Sequence, residues 1–195
     1  AALAEFGRRA GAARLDVALL QREAGNEIVL AEKRVEVPVE DRTRRAVAAG
    51  QWAWAEWESL TRLWSMGVPV PYPVQIDGTE ILMEWITVDG ETAPRLAQTR
   101  PDRALLASYF EQARDTIATM AQHGMVHGDL SAFNILAAGE RLVIIDLPQV
   151  VDLVANPLGP DFLMRDCTNV CNWFRARGLA VDEHDLFSDV LTHAF

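Results

Sequence analysis

The sequence predicts an α+β fold, with short strands toward its first half and longer helices dominating its second. Three observations lead there. Apolar residues recur at helical spacing over 49–66, 102–123, 161–177 and 182–193. Paired apolar runs around Asp77-Gly78 and Gly139-Glu140 mark two β-hairpins, at 74–83 and 135–145. A separate apolar run, Glu27 to Ala31, reads as a strand ahead of the first long helix.

Residues 2–22 carry Leu3, Phe6, Ala10, Ala13, Val17 and Leu20 at helical spacing, which predicts one or two amphipathic helices before the break at Gly25-Asn26. The alternation Arg34-Val35-Glu36-Val37 is compatible with a continuing strand, and the charged stretch Pro38 to Arg45 reads as a connection. In the helix at 49–66, Ala53, Trp57, Leu60 and Trp64 form an apolar stripe that Trp54 and Leu63 are expected to widen, with Gly67 as its stop. Glu56 lies near that stripe, and a Glu turned toward a sheet needs a cation. The helix at 102–123 points Leu105, Tyr109, Ala113, Ile117, Met120 and Ala121 inward and ends at Gly124. Residues 150–158 read as an apolar loop closed by Asn-Pro and Gly-Pro breakers, and Asp161 and Asp182 are the expected N-caps of the last two helices.

Composition narrows the function classes. A chain of 195 residues, half of them hydrophobic and 24% charged, can bury a core as one domain or two small lobes. The net charge of −10 argues against a general nucleic-acid surface or an anionic membrane as partner, while leaving room for a local basic cleft. No apolar run reaches the ~18 residues of a membrane span and the start shows no signal-peptide pattern, so a cytoplasmic location is expected. Cys167 and Cys171, four apart on one helix, read as reduced thiols in a core.

Chemistry concentrates in His127-Gly128-Asp129-Leu130-Ser131-Ala132-Phe133-Asn134 and in Ile144-Ile145-Asp146. A kinase-type catalytic loop is written H-R-D-L-x-x-x-N: the Asp takes the acceptor hydroxyl's proton and the Asn, five positions on, holds a metal ion. Asp129 and Asn134 have that separation. Asn134 precedes the first strand of the second hairpin and Asp146 ends the other, so both emerge at one end of it. An amide, a carboxylate and a nucleotide are oxygen ligands suited to Mg²⁺. Read singly, Asp129, Asn134 and Asp146 are each ordinary turn residues; their joint spacing makes them a site. His127 has no partner at metal-ligand spacing, and its expected role is to pack and hydrogen-bond the loop.

The paired motifs H-G-D-L-S-A-F-N and I-I-D-L-P-Q resemble the RIO family of atypical protein kinases. Ser131 stands where ordinary protein kinases carry Lys, Asp146-Leu147-Pro148-Gln149 replaces Asp-Phe-Gly, and no Ala-Pro-Glu follows. A second stretch, Trp52-Ala53, Glu56, Leu60, Arg62-Leu63 and Gly67-Val68-Pro69-Val70-Pro71, is similar to the same family. Met83-Glu84-Trp85-Ile86 resembles its hinge. The resemblance implies a bilobal protein-kinase-like fold, with a reduced sheet lobe over 1–84 and a mostly helical lobe over 85–195.

It also implies ATP as substrate, with Mg²⁺ or Mn²⁺. Asp129 would be the catalytic base, Asn134 and Asp146 the metal ligands, and Lys33, steadied by Glu56, the phosphate-binding cation. Met83, the backbone of Glu84 and Ile86, and Ser131 complete the nucleotide set. Only Ile28 to Leu30 separate Gly25-Asn26-Glu27 from Ala31-Glu32-Lys33, too few for the glycine-rich hairpin expected over the phosphates: either Lys33 is the phosphate lysine and that turn is missing, or Gly25 is its remnant and Lys33 is incidental. Three alternatives stay open: a small-molecule phosphotransferase of the aminoglycoside or choline kinase type, an ATPase working through a phosphorylated Asp146, and an inactive nucleotide-binding scaffold. The sequence does not identify the hydroxyl acceptor or a protein partner.

Overall fold

The computed structural model describes residues 30–34, 42–147 and 150–194; side chains are described from residue 50 to 192, apart from 148 and 149. The helices expected over 2–22, the Gly25-Asn26 break, the stretch 35–41 and Gln149 lie outside the described residues. The Lys33 side chain lies outside them as well.

Strand β1 (Leu30–Arg34) runs antiparallel to β3 (Glu80–Glu84), which also pairs with β2 (Pro73–Asp77), giving the order β1-β3-β2. The central strand is the one with two buried residues, Ile81 and Leu82. Asp77 pairs with Glu80, so Gly78 and Thr79 form a two-residue loop. Such a loop needs a positive φ, which Gly78 supplies at +58°.

Helix α1 runs from Arg42 to Ser65, so the charged segment read as a connection is helical from Arg42 onward. Arg and Ala are strong helix formers, and charge alone does not break a helix. Ala53, Leu60 and Leu63 are buried and Trp57 and Trp64 partly so, as the stripe requires, but Trp54 is 59% exposed. A helix turns about 100° per residue, which puts Trp54 about 60° beyond the edge of the arc spanned by those five positions. Glu56 falls inside the arc and is 3% exposed.

After β3, two short strands, β4 (Thr87–Val88) and β5 (Glu91–Thr92), pair across Asp89-Gly90, and a single 3₁₀ turn follows at Leu96–Gln98. Helix α2 (Arg103–Gln122) is capped by Asp102, whose Oδ1 accepts the Leu105 amide at 2.9 Å. Its buried face carries Leu106 where Leu105 was expected, with Leu105 half-buried beside it. Strands β6 (Met125–Val126), β7 (Ile135–Ala138), β8 (Arg141–Ile144) and β9 (Val151–Asp152) pair antiparallel as β6-β9 and β7-β8.

Helix α3 is Gly159–Arg175 and α4 is Glu183–Ala194. The Gly-Pro step expected to break the chain instead opens α3: proline is tolerated in the first helical turn, where its missing N–H has no partner to lose. The α3 N-cap is therefore Leu158 and not Asp161, which lies in the first turn. Asp182 does cap α4, its Oδ1 accepting the His184 and Asp185 amides at 2.8 and 3.2 Å. One continuous apolar core joins α1, β3, the β7-β8 hairpin and helices α2 to α4. The fold is α+β, as expected.

Candidate active site

The segment 127–134 is a loop whose backbone is clamped from behind. Asp166 sits on the buried face of α3, 1% exposed, among Leu163, Cys167, Val170 and Cys171. Its Oδ2 accepts the Gly128 amide at 2.9 Å and its Oδ1 the Leu130 amide at 2.8 Å. Burial pushes this carboxyl up from its ordinary value, against the two amides, which favour the charged form. Gly128 holds φ at +83°, a conformation that glycine adopts without strain. With both neighbours held inward, Asp129 between them is exposed.

His127 is 2% exposed. Its Nδ1 accepts the Asp129 amide at 3.4 Å, which leaves Nε2 to carry the proton and donate to the Ile145 carbonyl at 3.3 Å. The ring thus joins the loop to the residue before Asp146, which agrees with the structural role expected of it. Asn134, 7% exposed, donates its side-chain amide to the Asp129 carbonyl at 2.9 Å. That bond fixes the amide's orientation, so Oδ1 is the group left to face a cation.

The Ile145 amide donates to the Asn134 carbonyl at 2.9 Å, extending the β7-β8 pairing by one step. Asp146 follows at once with φ of +66°, in the left-handed region that few residues other than glycine enter. Asn134 and Asp146 therefore leave the same end of one hairpin, as their spacing implied. The opposite end is held by α2: Tyr109 donates its hydroxyl to the Gly139 carbonyl, and Gln112 donates to the Glu140 carbonyl at 2.8 Å and accepts the Leu142 amide at 2.9 Å. Along its edge, the Ile144 amide donates to the Pro69 carbonyl at 2.7 Å, which ties in the Gly67 to Pro71 stretch.

The remaining expected residues surround this hairpin. Ser131 accepts the Asn134 amide through its carbonyl and the Phe133 amide through Oγ, at 2.9 and 3.3 Å, so it shapes the loop. Met83 and Glu84 end β3. The Glu84 amide donates to the Tyr72 carbonyl, and its carboxylate accepts the Tyr72 amide at 3.0 Å. Ile86 is buried and its carbonyl accepts the Ala93 amide at 2.9 Å. Lys33 lies in β1 opposite Ile81.

Two features escaped the sequence reading. Asp166 is the more consequential, and its only signal is a carboxylate on the apolar face of a helix. The β4-β5 hairpin is the other, with the same Asp-Gly signal in Asp89-Gly90 that marked the hairpin at 77–78.

The donor set fits a hard divalent cation that brings some of its own oxygen ligands. Asn134 and Asp146 offer one amide and one carboxylate, and among the described residues no cluster of three or more His, Cys, Asp or Glu could hold a metal. Phosphate oxygens and water would complete such a site.

The family model for the RIO domain matches residues 24–186. The chain belongs to the RIO family. This RIO domain is 36% identical over 139 residues to the RIO-type serine/threonine-protein kinase Rio1 of Haloferax volcanii, covering 71% of this chain and 47% of that protein. It is 31% identical over 131 residues to the Rio1 kinase of Thermoplasma acidophilum, covering 67% of each. The chain thus spans about half of the first relative and two thirds of the second.

Among solved structures, the Rio2 kinase of Chaetomium thermophilum superposes with a TM-score of 0.66 at 24% identity, over 88% of this chain and 57% of that one. The same protein has been solved as an ADP/Mg²⁺-phosphoaspartate complex, with a TM-score of 0.64. The shared fold is protein-kinase-like.

Proposed function

We propose that this RIO domain transfers the γ-phosphoryl group of ATP to a hydroxyl. The observation that carries the reading is the delivery of Asp129, Asn134 and Asp146 to one end of one hairpin by fixed backbone contacts. The nucleotide lies between the three-stranded sheet and the 127–146 segment, with the lobes meeting near residues 84 and 85. The Ile86 carbonyl is engaged by Ala93, so its N–H is the group left to meet the base, beside the Glu84 backbone. Lys33 neutralises phosphate charge and buried Glu56 steadies it.

Asp129, exposed on an immobilised loop, accepts the acceptor's proton as the hydroxyl oxygen attacks the γ-phosphorus and ADP departs. Asn134 and Asp146 hold Mg²⁺, which supplies charge neutralisation at the phosphates. Rate gain in such a site comes from placement and electrostatics more than from covalent chemistry. The kinase names of the relatives favour this reading over an inactive scaffold, and the RIO match favours it over a small-molecule phosphotransferase. The phosphoaspartate in the Chaetomium structure motivates a second reading, in which the phosphoryl group rests on Asp146 before water removes it.

The test is Asp129→Asn, assayed with [γ-³²P]ATP and magnesium. Turnover is expected to fall by roughly 10²–10⁴-fold, with ATP affinity and the urea midpoint unchanged. Unaltered turnover contradicts the assignment. Acid-labile, hydroxylamine-sensitive label on the protein would favour the second reading.

A further inference from the structure

The turn that carries the 3₁₀ helix is bound to the outer side of the catalytic loop. Its Ala97 amide donates to the Ala132 carbonyl at 2.9 Å, and the Arg95 guanidinium donates to the Phe133 carbonyl. From the other side, Arg177, just past the end of α3, donates to the Ala97 carbonyl at 3.4 Å and lies 3.7 Å over the Trp173 ring. Arg100 is exposed and close enough to Arg177 for its charge to bear on it. Arg95 therefore touches the segment that holds Asp129, Arg177 holds the far side of the same turn, and Arg100 follows that turn in the chain.

Carbonyls and the Trp173 ring hold two of them, but no carboxylate among the described residues offsets their charge. Arg114 and Arg175 each pair with carboxylates, whereas Arg95, Arg100 and Arg177 form no ion pair among the described residues. Burial and the neighbouring Arg100 charge both push the Arg177 pKa down, with no carboxylate acting in opposition. Arg177 also donates to the Trp173 carbonyl at 3.3 Å and its Nε is shut off from solvent, so what it adds to the patch is charge and not a free donor. Asp102, the acidic residue nearest to Arg100 in sequence, uses Oδ1 to cap α2. In a chain of net charge −10, a cluster of like charges beside the catalytic loop calls for an outside anion to offset it.

We propose that Arg95, Arg100 and Arg177 form a docking patch for an acidic segment of the protein that supplies the acceptor hydroxyl. Guanidinium groups pair with carboxylates in a directed, two-pronged geometry. The exposed Phe133 ring, 63% accessible beside Arg95, gives the same segment an apolar foothold. The acidic remainder of the molecule repels long anionic polymers, so a short acidic stretch is a better fit than a nucleic acid. This inference names the acceptor class for the phosphotransfer reading and rests on it.

The test uses fluorescence anisotropy with two fluorescein-labelled serine peptides, one rich in Asp and Glu and one with Asn and Gln in their place, and a labelled single-stranded RNA. The acidic peptide should bind more tightly than the other two and weaken with salt. Arg100→Glu should weaken it by about tenfold and Arg100→Lys much less, with peptide-free ATP turnover unchanged in both. Equal binding of the two peptides, indifference to Arg100→Glu, or tighter binding of the RNA overturns the proposal. Because anisotropy needs no turnover, the two readings fail separately. Selective peptide binding without turnover sinks only the kinase assignment, and turnover without selectivity sinks only the patch.

Discussion

Asp166 does at the scale of one side chain what the loop motif cannot do for itself. It satisfies the amides on both sides of Asp129 from inside the core. Replacing it with Ala strands two buried N–H groups, each costing about 1–3 kcal/mol, and frees the loop. Asp166→Ala is expected to lower the urea midpoint and to reduce phosphotransfer well beyond any loss of folded protein. Activity that survives with only stability lost would show that Asp129 needs no such clamp. The placement of Asn134 and Asp146 at one end of a hairpin, with Asp129 on the loop before it, was legible because the motif fixes their spacing along the chain. Asp166 was not, because its partners stand 36 and 38 positions away and only folding brings them together. Trp54 was misread for a related reason: an aromatic residue says apolar, whereas the angle around the helix decides which side it faces.

Among the elements, the β7-β8 hairpin was the most legible, since a short apolar pair around Gly139-Glu140 admits few other structures. Its seating was not legible: the turn is held by Tyr109 and Gln112, two ordinary residues on the inward and flanking faces of α2. Helix α3 shows how tertiary approach sets a boundary that sequence punctuation suggests wrongly. A Cβ added at Gly159 would lie 2.3 Å from the Leu153 carbonyl oxygen, so the start of this helix packs on the backbone that follows β9. Gly159→Ala must push backbone against backbone and is expected to cost about 1–3 kcal/mol, read as a lower midpoint in urea. Because α3 also carries Asp166, the same variant is expected to lose turnover. A fully stable Gly159→Ala would mean that the approach is looser than the geometry implies.

For the whole molecule, the response to pH follows from where its carboxylates sit. Backbone amides hold Asp152 and Asp182 below the usual carboxylate range, and Glu183 is lowered by its own amide and by Arg175. Groups lowered by folding contribute stability above their unfolded value, near pH 4, and lose it as pH falls through the folded one. Asp166, raised by burial, works the other way: its contribution is present at low pH and is lost as pH rises. The urea midpoint of Asp182→Ala should therefore lie below that of the parent at pH 7 and approach it near pH 3. A gap that stays constant across that range contradicts a charge-dependent cap.

The α+β class was readable throughout, because helix and hairpin periodicities are local. The continuous core that joins α1 to the helical half was not, since it depends on which faces meet. The central claim is that Asn134 and Asp146 together form a magnesium site completed by a triphosphate. Calorimetric titration of ATP, with and without magnesium, into the parent chain and Asp146→Ala tests it most directly. Magnesium should tighten ATP binding to the parent and leave Asp146→Ala nearly unaffected; an equal magnesium effect in both would contradict the account.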